Sequence, residues 1–304
     1  MPANNLSKSK TIILAIIYAS LFFLLLYAGL GREATTLSAP PLTPEKRASA
    51  DFFAYLPLQA KAVYIYDTAE NKPLYARNEH LPMPLASLTK IMTAVCAVGV
   101  LGEDSLIKIE KSDIVAEGPS SLRPGENWRA ADLASYMLVE SSNDAAAALA
   151  RAFGGAPALT ACMNEKADEL GLFDTKFGNE SGLDIGLSPG AYGSAKDAAL
   201  MLAFALREHP GIFEKTALPR YNASSVDGFS RTATNTDRAL GEIIGVSASK
   251  TGFTDLAGGN LVFAMNAGLG HKVLVAILGS TEEGRFKDAI LLSNAVIQSV
   301  AEKF

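Results

Sequence analysis

The stretch GNLVFAMNAGLGHKVLVAILG, residues 259–279, contains two runs rich in β-branched and apolar residues around a Gly-rich turn. Runs of this kind on either side of a turn predict two antiparallel strands, here over 259–267 and 271–279. An apolar pattern with helical spacing follows over 285–301. The end of the chain therefore predicts a hairpin followed by a closing helix.

Similar runs lie nearer the N-terminus, AVYIYD at 62–67 and PLYAR at 73–77, and they predict a second hairpin. Between the two hairpins, apolar residues recur with helical spacing. The predicted helices cover 88–100, 130–153, 158–170 and 195–207. Strands at both ends with helices between them predict an α+β fold. We expect one antiparallel sheet built from both ends of the domain, flanking helices and an inserted helical subdomain at roughly 102–240.

The composition restricts the class of protein. The chain has 304 residues, of which 49% are hydrophobic and 19% charged, so a globular domain is expected rather than a disordered chain. Its net charge is −5, and no Lys/Arg run is interleaved with aromatic residues. These features argue against a nucleic-acid partner.

Residues 12–30, IILAIIYASLFFLLLYAGL, carry no charge. A helix of this length spans about 29 Å, close to the hydrocarbon thickness of a bilayer. Lys8 and Lys10 precede the segment, whereas Arg32 and Glu33 after it cancel. The charge difference favours a single-pass transmembrane helix with a short cytoplasmic tail, 1–11, and an extracytoplasmic body.

A cleaved signal peptide is the alternative, although Tyr27-Ala28-Gly29 is a mediocre cleavage site and the apolar stretch is long for one. Residues 31–43 are polar, small and Pro-containing, which predicts a stalk. Thr43-Pro44-Glu45 has the pattern of a helix N-terminus, so the folded domain is expected over 44–304.

Two cysteines occur, and each lies in a predicted helix. Cys162 shares an apolar stripe with Leu159 and Met163, and Cys96 falls on the side of its helix away from Ser87. Both are interpreted as small core residues rather than as a disulfide.

Ser87-Leu88-Thr89-Lys90 provides a hydroxyl and an amine one helical turn apart. An acyl-transfer enzyme without a His/Asp pair needs such a nucleophile and base. The same S-x-x-K spacing also begins at Ser7, Ser105 and Ser247, so the motif alone is weak. Only Ser87 opens a predicted helix on the expected extracytoplasmic side.

Two further motifs favour Ser87. Ser141-Ser142-Asn143 is the only S-x-N in the sequence, and Lys250-Thr251-Gly252 is the only K-T-G. S-x-x-K, then S-x-N, then K-T-G on a strand is the pattern of penicillin-recognising serine enzymes.

With these motifs, the chain resembles the D-alanyl-D-alanine carboxypeptidase family of low-molecular-mass penicillin-binding proteins. The resemblance covers about residues 60–295 and includes the blocks PLASLTKIMTA, SSNDAAAALA, MNEKADELGL, NESGLD and KTGFTDLAGGNLV. It implies a β-lactamase/transpeptidase-like fold and a bacterial cytoplasmic-membrane location. The implied activity is removal of the terminal D-alanine from peptidoglycan pentapeptides, with acylation by β-lactams and without a metal or cofactor.

The resemblance also implies roles for the motif residues. Ser87 would attack the carbonyl between the two D-alanines and form an acyl-enzyme. Lys90 must be neutral to accept the proton, and burial together with the charge of Lys250 would lower its pKa. We expect the two lysines to titrate as a coupled pair.

The remaining implied roles concern proton transfer and substrate binding. Ser141 would relay a proton between Lys90 and the leaving amine, and Asn143 would hold the substrate amide or the lysine. The backbone N–H groups of Ser87 and Phe253 would form the oxyanion hole.

The substrate carboxylate needs cations or hydroxyl groups, and the candidates are Lys250, Thr251, Gly252 of the same strand, and Arg285. For Arg285, a solvated charge at the start of the last helix is the alternative. The sequence departs from the family pattern at Ser142, where glycine is usual, and at Ser249, where leucine is usual. Because it ends at Phe304, we expect the N-terminal helix to replace the C-terminal anchor of many relatives.

Other functions remain open. A β-lactamase needs a carboxylate to activate water, for which Glu180 and Asp184 are candidates, although NESGLD fits a carboxypeptidase better. A D,D-endopeptidase and a non-catalytic β-lactam-sensing or wall-binding domain share the motifs. A metallocarboxypeptidase is disfavoured, because the histidines are only His80, His209 and His271 and no H-E-x-x-H occurs.

Overall fold

The computed structural model describes residues 17–21, 24, 51–115, 118, 121–268 and 270–302. The chain forms two compact units, Met1–Ser49 and Ala50–Phe304. The predicted tail at 1–11 and the stalk at 31–43 lie outside the described residues. Of the predicted span at 12–30, only residues 17–21 and Leu24 are described, and they are helical and exposed.

Within the described residues, no single helix combines the length and apolarity needed to cross a bilayer. Two consecutive helices, Asn143–Phe153 and Ala156–Glu169, are long and apolar enough only when they are taken together. The chain bends by 91° between them.

The larger unit contains five long strands and several short ones. They are β1 Ala62–Asp67, β2 Lys72–Arg77, β3 Met83–Pro84, β4 Leu106–Lys108, β5 Asn127–Arg129, β6 Lys176–Phe177, β7 Ala191–Gly193, β8 Arg220–Ser224, β9 Ser230–Thr234, β10 Val246–Thr254, β11 Gly258–Asn266 and β12 Lys272–Ser280.

The main sheet has the order β10-β11-β12-β1-β2, and every neighbouring pair is antiparallel. The first strand therefore pairs with the last, with Ala62 opposite Leu278 and Asp67 opposite Val273. Both predicted hairpins are confirmed, as is a sheet completed by the two ends of the domain. Strand β10, which carries the K-T-G motif, forms one edge of this sheet.

The helices of this unit are α1 Lys90–Leu101, α2 Ala130–Glu140, α3 Asn143–Phe153, α4 Ala156–Glu169, α5 Ala195–Glu208, α6 Pro210–Phe213 and α7 Gly284–Ala301. Three of the four predicted inner helices and the closing helix match these bounds within a few residues.

The two faces of the sheet bury separate cores because alternate residues of a strand point to opposite sides. Val63 and Ile65 of β1 belong to the core under α7, together with Phe286 and Leu292. Ala62 and Tyr64, on the opposite face of β1, belong to the core shared with the helical subdomain. The sheet thus lies between α7 on one side and the inserted helices on the other.

The single helix predicted over 130–153 is wrong. The structure contains two helices, α2 and α3, separated at Ser141 and Ser142. Ser141 has left-handed backbone angles of φ 62° and ψ 31°, and the Ser142 side chain accepts a hydrogen bond from the backbone N–H of Ala145 as an N-cap. The apolar spacing continues across the break, so periodicity alone gave no sign of it.

Candidate active site

Ser87 lies on a short 3-10 turn, Ala86–Thr89, that leads directly into α1. The α-helix predicted over 88–100 therefore begins at Lys90, after this 3-10 turn. Ala86 has φ 49°, a left-handed conformation that is unfavourable for alanine, immediately before the serine. The backbone N–H of Leu85 donates to the Ala191 carbonyl at 3.0 Å. This contact holds the turn against β7.

Two glycines allow other segments to approach this turn closely. A Cβ on Gly252 would lie 2.8 Å from the Leu85 carbonyl oxygen, and one on Gly182 would lie 1.9 Å from that of Ala86. Only a residue without a side chain fits either position. The K-T-G strand and the loop containing NESGLD therefore pack directly on the turn that presents Ser87.

Lys90 is fully buried behind Ser87. Its Nζ donates to Ser87 Oγ at 2.8 Å and to the Ser181 carbonyl oxygen at 2.9 Å. Burial lowers the pKa of Lys90 to about 7, although the negative charge of Glu180 opposes this shift. A large fraction of Lys90 is therefore neutral near neutral pH, in contact with the hydroxyl whose proton it would accept.

Lys250 forms a second buried pair with a serine. Its Nζ donates to Ser141 Oγ at 2.9 Å and to the Thr251 carbonyl oxygen at 2.8 Å. Burial, followed by the positive charges of Lys90 and Arg285, holds the pKa of Lys250 well below its ordinary value. The charge of Lys90 thus acts on Lys250, whereas burial lowers the pKa of Lys90 and the expected contribution of Lys250 to that shift is not found. The contact of Ser141 is with Lys250, whereas the sequence led us to expect Lys90.

Asn143 begins α3 and is buried. A Cβ on Gly118 would lie 2.8 Å from Asn143 Nδ2, so Gly118 itself lies close to this amide. Ser141 and Asn143 both line the cleft because the break between α2 and α3 interrupts the helix at this point. A continuous helix would place them on different faces.

The carboxylate-binding candidates lie along β10 and at the start of α7. Thr251 Oγ1 and Thr236 Oγ1 are 2.5 Å apart, and Arg285 Nη1 donates to the Gly252 carbonyl oxygen at 2.7 Å. The guanidinium of Arg285 also lies 5.9 Å from the centre of the Phe253 ring. Arg285 is only 5% exposed, so its interpretation as a solvated charge is wrong.

These residues surround a cleft of about 280 Å³. It is lined by Ser87, Gly118, Glu140, Ser141, Asn143, Leu183, Thr236, Thr251, Gly252, Phe253 and Arg285. Lys90 and Lys250 are buried directly behind the lining serines. The structure thus brings every sequence-predicted site residue to one place.

Several residues of the site were not found from the sequence. Ser181 binds Lys90 through its backbone carbonyl, which no sequence pattern reports. Asp237 is buried, accepts a hydrogen bond from Ser249 Oγ, and its negative charge opposes the lowering of the Lys250 pKa. Thr236 and Glu140 belong to none of the three motifs. The unusual Ser249 was the available signal for Asp237.

The side chains considered for metal binding, for water activation by a carboxylate and for a disulfide do not line this cleft. Among the described residues, no histidine lines the cleft; His80 contacts Asp174 and His271 contacts Asp67. Glu180 and Asp184 do not line it either. Cys96 and Cys162 are free thiols that share the wall of a separate cavity of about 440 Å³.

A serine hydroxyl bonded to a buried lysine, beside a second lysine–serine pair on a strand edge, defines a serine acyl-transfer enzyme that uses lysine as its base. The sequence profile of peptidase family S11, described as D-alanyl-D-alanine carboxypeptidase, matches residues 46–281. The chain belongs to this family.

Individual proteins agree with that assignment. The D-alanyl-D-alanine carboxypeptidase DacB2 of Mycobacterium tuberculosis is 30% identical over 227 residues, which cover 74% of this chain and 77% of that protein. A D-alanyl-D-alanine endopeptidase of Pseudomonas aeruginosa is 30% identical and covers 85% of this chain and 82% of its own length. The ampicillin-bound penicillin-binding protein D2 of Listeria monocytogenes superimposes with a TM-score of 0.69 at 30% identity. The match covers 79% of this chain and 98% of that protein.

Proposed function

We propose that this chain is a serine D,D-carboxypeptidase that removes the terminal D-alanine from peptidoglycan pentapeptides through an acyl-enzyme on Ser87. The observation that carries the proposal is the 2.8 Å contact between Lys90 Nζ and Ser87 Oγ, with the lysine fully buried. Burial keeps part of the lysine neutral, and a neutral amine next to a hydroxyl can act as a general base.

In the acylation step, Ser87 Oγ attacks the carbonyl carbon of the penultimate D-alanine while its proton passes to neutral Lys90. The negative oxygen of the tetrahedral intermediate lies between the backbone N–H groups of Ser87 and Phe253. The bond from carbon to the nitrogen of the last D-alanine then breaks, and that nitrogen takes up a proton. Ser141, whose hydroxyl is held by Lys250, delivers its own proton and takes in exchange the proton that Lys90 received, so that Lys90 is neutral again.

Deacylation repeats this sequence with water in place of Ser87. Lys90 accepts a proton from water, which attacks the acyl carbonyl, and Ser87 recovers its own proton as the ester breaks. Asn143, which lines the cleft together with Ser141, binds the amide of the substrate. These steps need no metal or cofactor.

The terminal carboxylate of the substrate is bound by Thr251 and Arg285. Thr251 and Arg285 line the cleft, and the buried Lys250 precedes Thr251 on β10 and donates to the Thr251 carbonyl oxygen. Hydroxyl and guanidinium donors form strong hydrogen bonds to a carboxylate. This arrangement favours peptides with a free C-terminus, as a carboxypeptidase requires.

β-Lactams are expected to acylate the same serine, because they present a reactive amide and a carboxylate to the same groups. The similarity to the ampicillin-bound protein from L. monocytogenes supports this expectation. A β-lactamase is less well supported, since the NESGLD carboxylates, Glu180 and Asp184, are not among the described residues that line the cleft.

Peptide mapping after labelling with a fluorescent penicillin tests the proposal. The wild-type chain should carry the label on the peptide that contains Ser87, and Ser87→Ala should carry none. Labelling of the variant to the same extent, or of another serine in the wild type, would reject Ser87 as the nucleophile. Rapid release of the label would instead indicate a β-lactamase.

An endopeptidase is the second candidate, and the relative from P. aeruginosa favours it. Both activities break the same type of bond, but an endopeptidase accepts a D-alanine whose neighbour continues into another stem peptide. Parallel digestion of pentapeptide monomers and cross-linked dimers separates them. Faster cleavage of the dimers would favour the endopeptidase.

We also propose that residues 12–30 anchor the enzyme in the bacterial cytoplasmic membrane, with the catalytic unit outside. The uncharged sequence of this segment and the preceding Lys8 and Lys10 support this orientation. Alkaline extraction of membranes tests retention of the anchor. Release of the full catalytic unit by that treatment would favour a cleaved signal peptide.

A further inference from the structure

Glu140 is an acidic residue in the wall of the active-site cleft. It ends α2 immediately before Ser141 and lines the cleft with Ser87 and Asn143. Among the described lining residues it is the only acid, whereas Arg285 is the only base and two lysines are buried behind the lining serines.

The carboxylate of Glu140 has one oxygen without a partner. Its Oε2 is buried from solvent and accepts no hydrogen bond, and no ion pair involves Glu140 in the described part of the chain. An unpaired buried carboxylate oxygen is unfavourable, because it has lost water and gained nothing in exchange. A positively charged donor entering the cleft would remove that cost.

The neighbours of Glu140 fix its side chain without satisfying this oxygen. Tyr136, one turn earlier on α2, has its phenol 2.7 Å from Ser121 Oγ. Burial, and then a hydrogen bond with Glu140, raise the pKa of Tyr136. The carboxylate is thus held beside a neutral phenol rather than beside a cation.

We propose that Glu140 is a specificity-determining residue that binds an ammonium group on the side chain preceding the D-alanyl-D-alanine pair. This inference rests on the proposed function, which places the scissile bond at Ser87 and the terminal carboxylate at Thr251 and Arg285. A cation bound by Glu140 then belongs to the part of the substrate on the acyl side of that bond. The preferred substrate has opposite charges on the two sides of the scissile amide.

Two matched peptides test this assignment. Both end in L-lysyl-D-alanyl-D-alanine; one has a free Nε amine and the other an acetylated one. The wild type should cleave the free-amine peptide with a kcat/KM about 10- to 100-fold higher, as expected for a charged hydrogen bond. Glu140→Gln should remove this preference by slowing cleavage of the free-amine peptide only.

A control and a second variant make the result specific. Asp184 also has a buried carboxylate oxygen without a hydrogen-bond partner but does not line the cleft, so Asp184→Asn should leave the preference unchanged. Glu140→Lys should reverse the preference toward a peptide whose Nε is succinylated. Penicillin labelling of each variant reports whether its site is folded.

Equal cleavage of the two peptides by the wild type would overturn the inference while leaving the carboxypeptidase assignment intact. The inference would also be overturned if Glu140→Gln still reacted with penicillin but cleaved both peptides equally more slowly, because that result would indicate a general structural role. Release of D-alanine from neither peptide by the wild type would instead contradict the proposed function itself.

Discussion

Lys250 Nζ donates a hydrogen bond to Ser141 Oγ at 2.9 Å, joining two residues that are 109 positions apart in the sequence. The contact ties the edge strand β10 to the break between α2 and α3. It also places a second buried lysine near Lys90, whose positive charge lowers the pKa of Lys250. The acid–base chemistry of the site therefore depends on both lysines.

The pH dependence of acylation follows from the pKa of Lys90, which burial lowers to about 7. The base is neutral above this pKa, so the rate of penicillin acylation should rise as the pH increases through about 7. Burial, not the charge of Lys250, lowers this pKa, so Lys250→Gln should leave the midpoint near 7. Stopped-flow acylation rates across the pH range measure it. Lys166→Gln, on α4, serves as the control, and a midpoint that moves in Lys250→Gln but not in Lys166→Gln would contradict burial as the cause.

Gly182 tests whether the NESGLD loop positions the nucleophile. In Gly182→Ala the new Cβ would lie 1.9 Å from the Ala86 carbonyl oxygen and displace the turn that carries Ser87. We expect a loss of acylation of at least about 100-fold, since small displacements of reacting groups have effects of this size.

Gly186 is the matched control in the same loop. It also has a positive φ, but a Cβ there meets nothing within 4 Å. Gly186→Ala should cost only about 1–2 kcal/mol of stability and keep near-normal acylation. Similar acylation rates in the two variants would show that the contact with Ala86 does not position the serine.

Arg285 is expected to bind the terminal carboxylate. Arg285→Gln should lower kcat/KM for a free-acid peptide by about 10- to 100-fold and affect the matching C-terminal amide much less. Steady-state kinetics on the two peptides measure the difference. Arg238→Gln is the control, because Arg238 also lies over the Phe286 ring but is exposed and paired with Glu283. An equal loss on acid and amide would reject the role.

Ser249 stabilises a buried carboxylate rather than the substrate. Its hydroxyl donates to Asp237, so Ser249→Ala should lower the free energy of unfolding by about 1–3 kcal/mol. Urea unfolding measures the change. Ser247→Ala on the same strand removes only a long 3.4 Å contact with the Ala264 carbonyl and should be nearly neutral. An equal cost for both variants would argue against a special role for Asp237.

The sheet could be predicted from the sequence because its strands alternate between two buried faces and are rich in β-branched residues, as in AVYIYD. The three motifs likewise identified Ser87, Lys90 and Lys250, because each pairs a reactive side chain with a distinctive spacing. The break at Ser141 could not be predicted, since the apolar pattern of α2 runs on into α3. Glu140 could not be assigned either, because nothing in the sequence says which wall of a cleft a residue lines.

Release of free D-alanine from a purified pentapeptide muropeptide tests the central claim most directly. The wild-type chain should release it, and Ser87→Ala should not exceed the uncatalysed rate, because the variant has lost the hydroxyl that Lys90 contacts at 2.8 Å. Equal release by the two proteins would contradict the account.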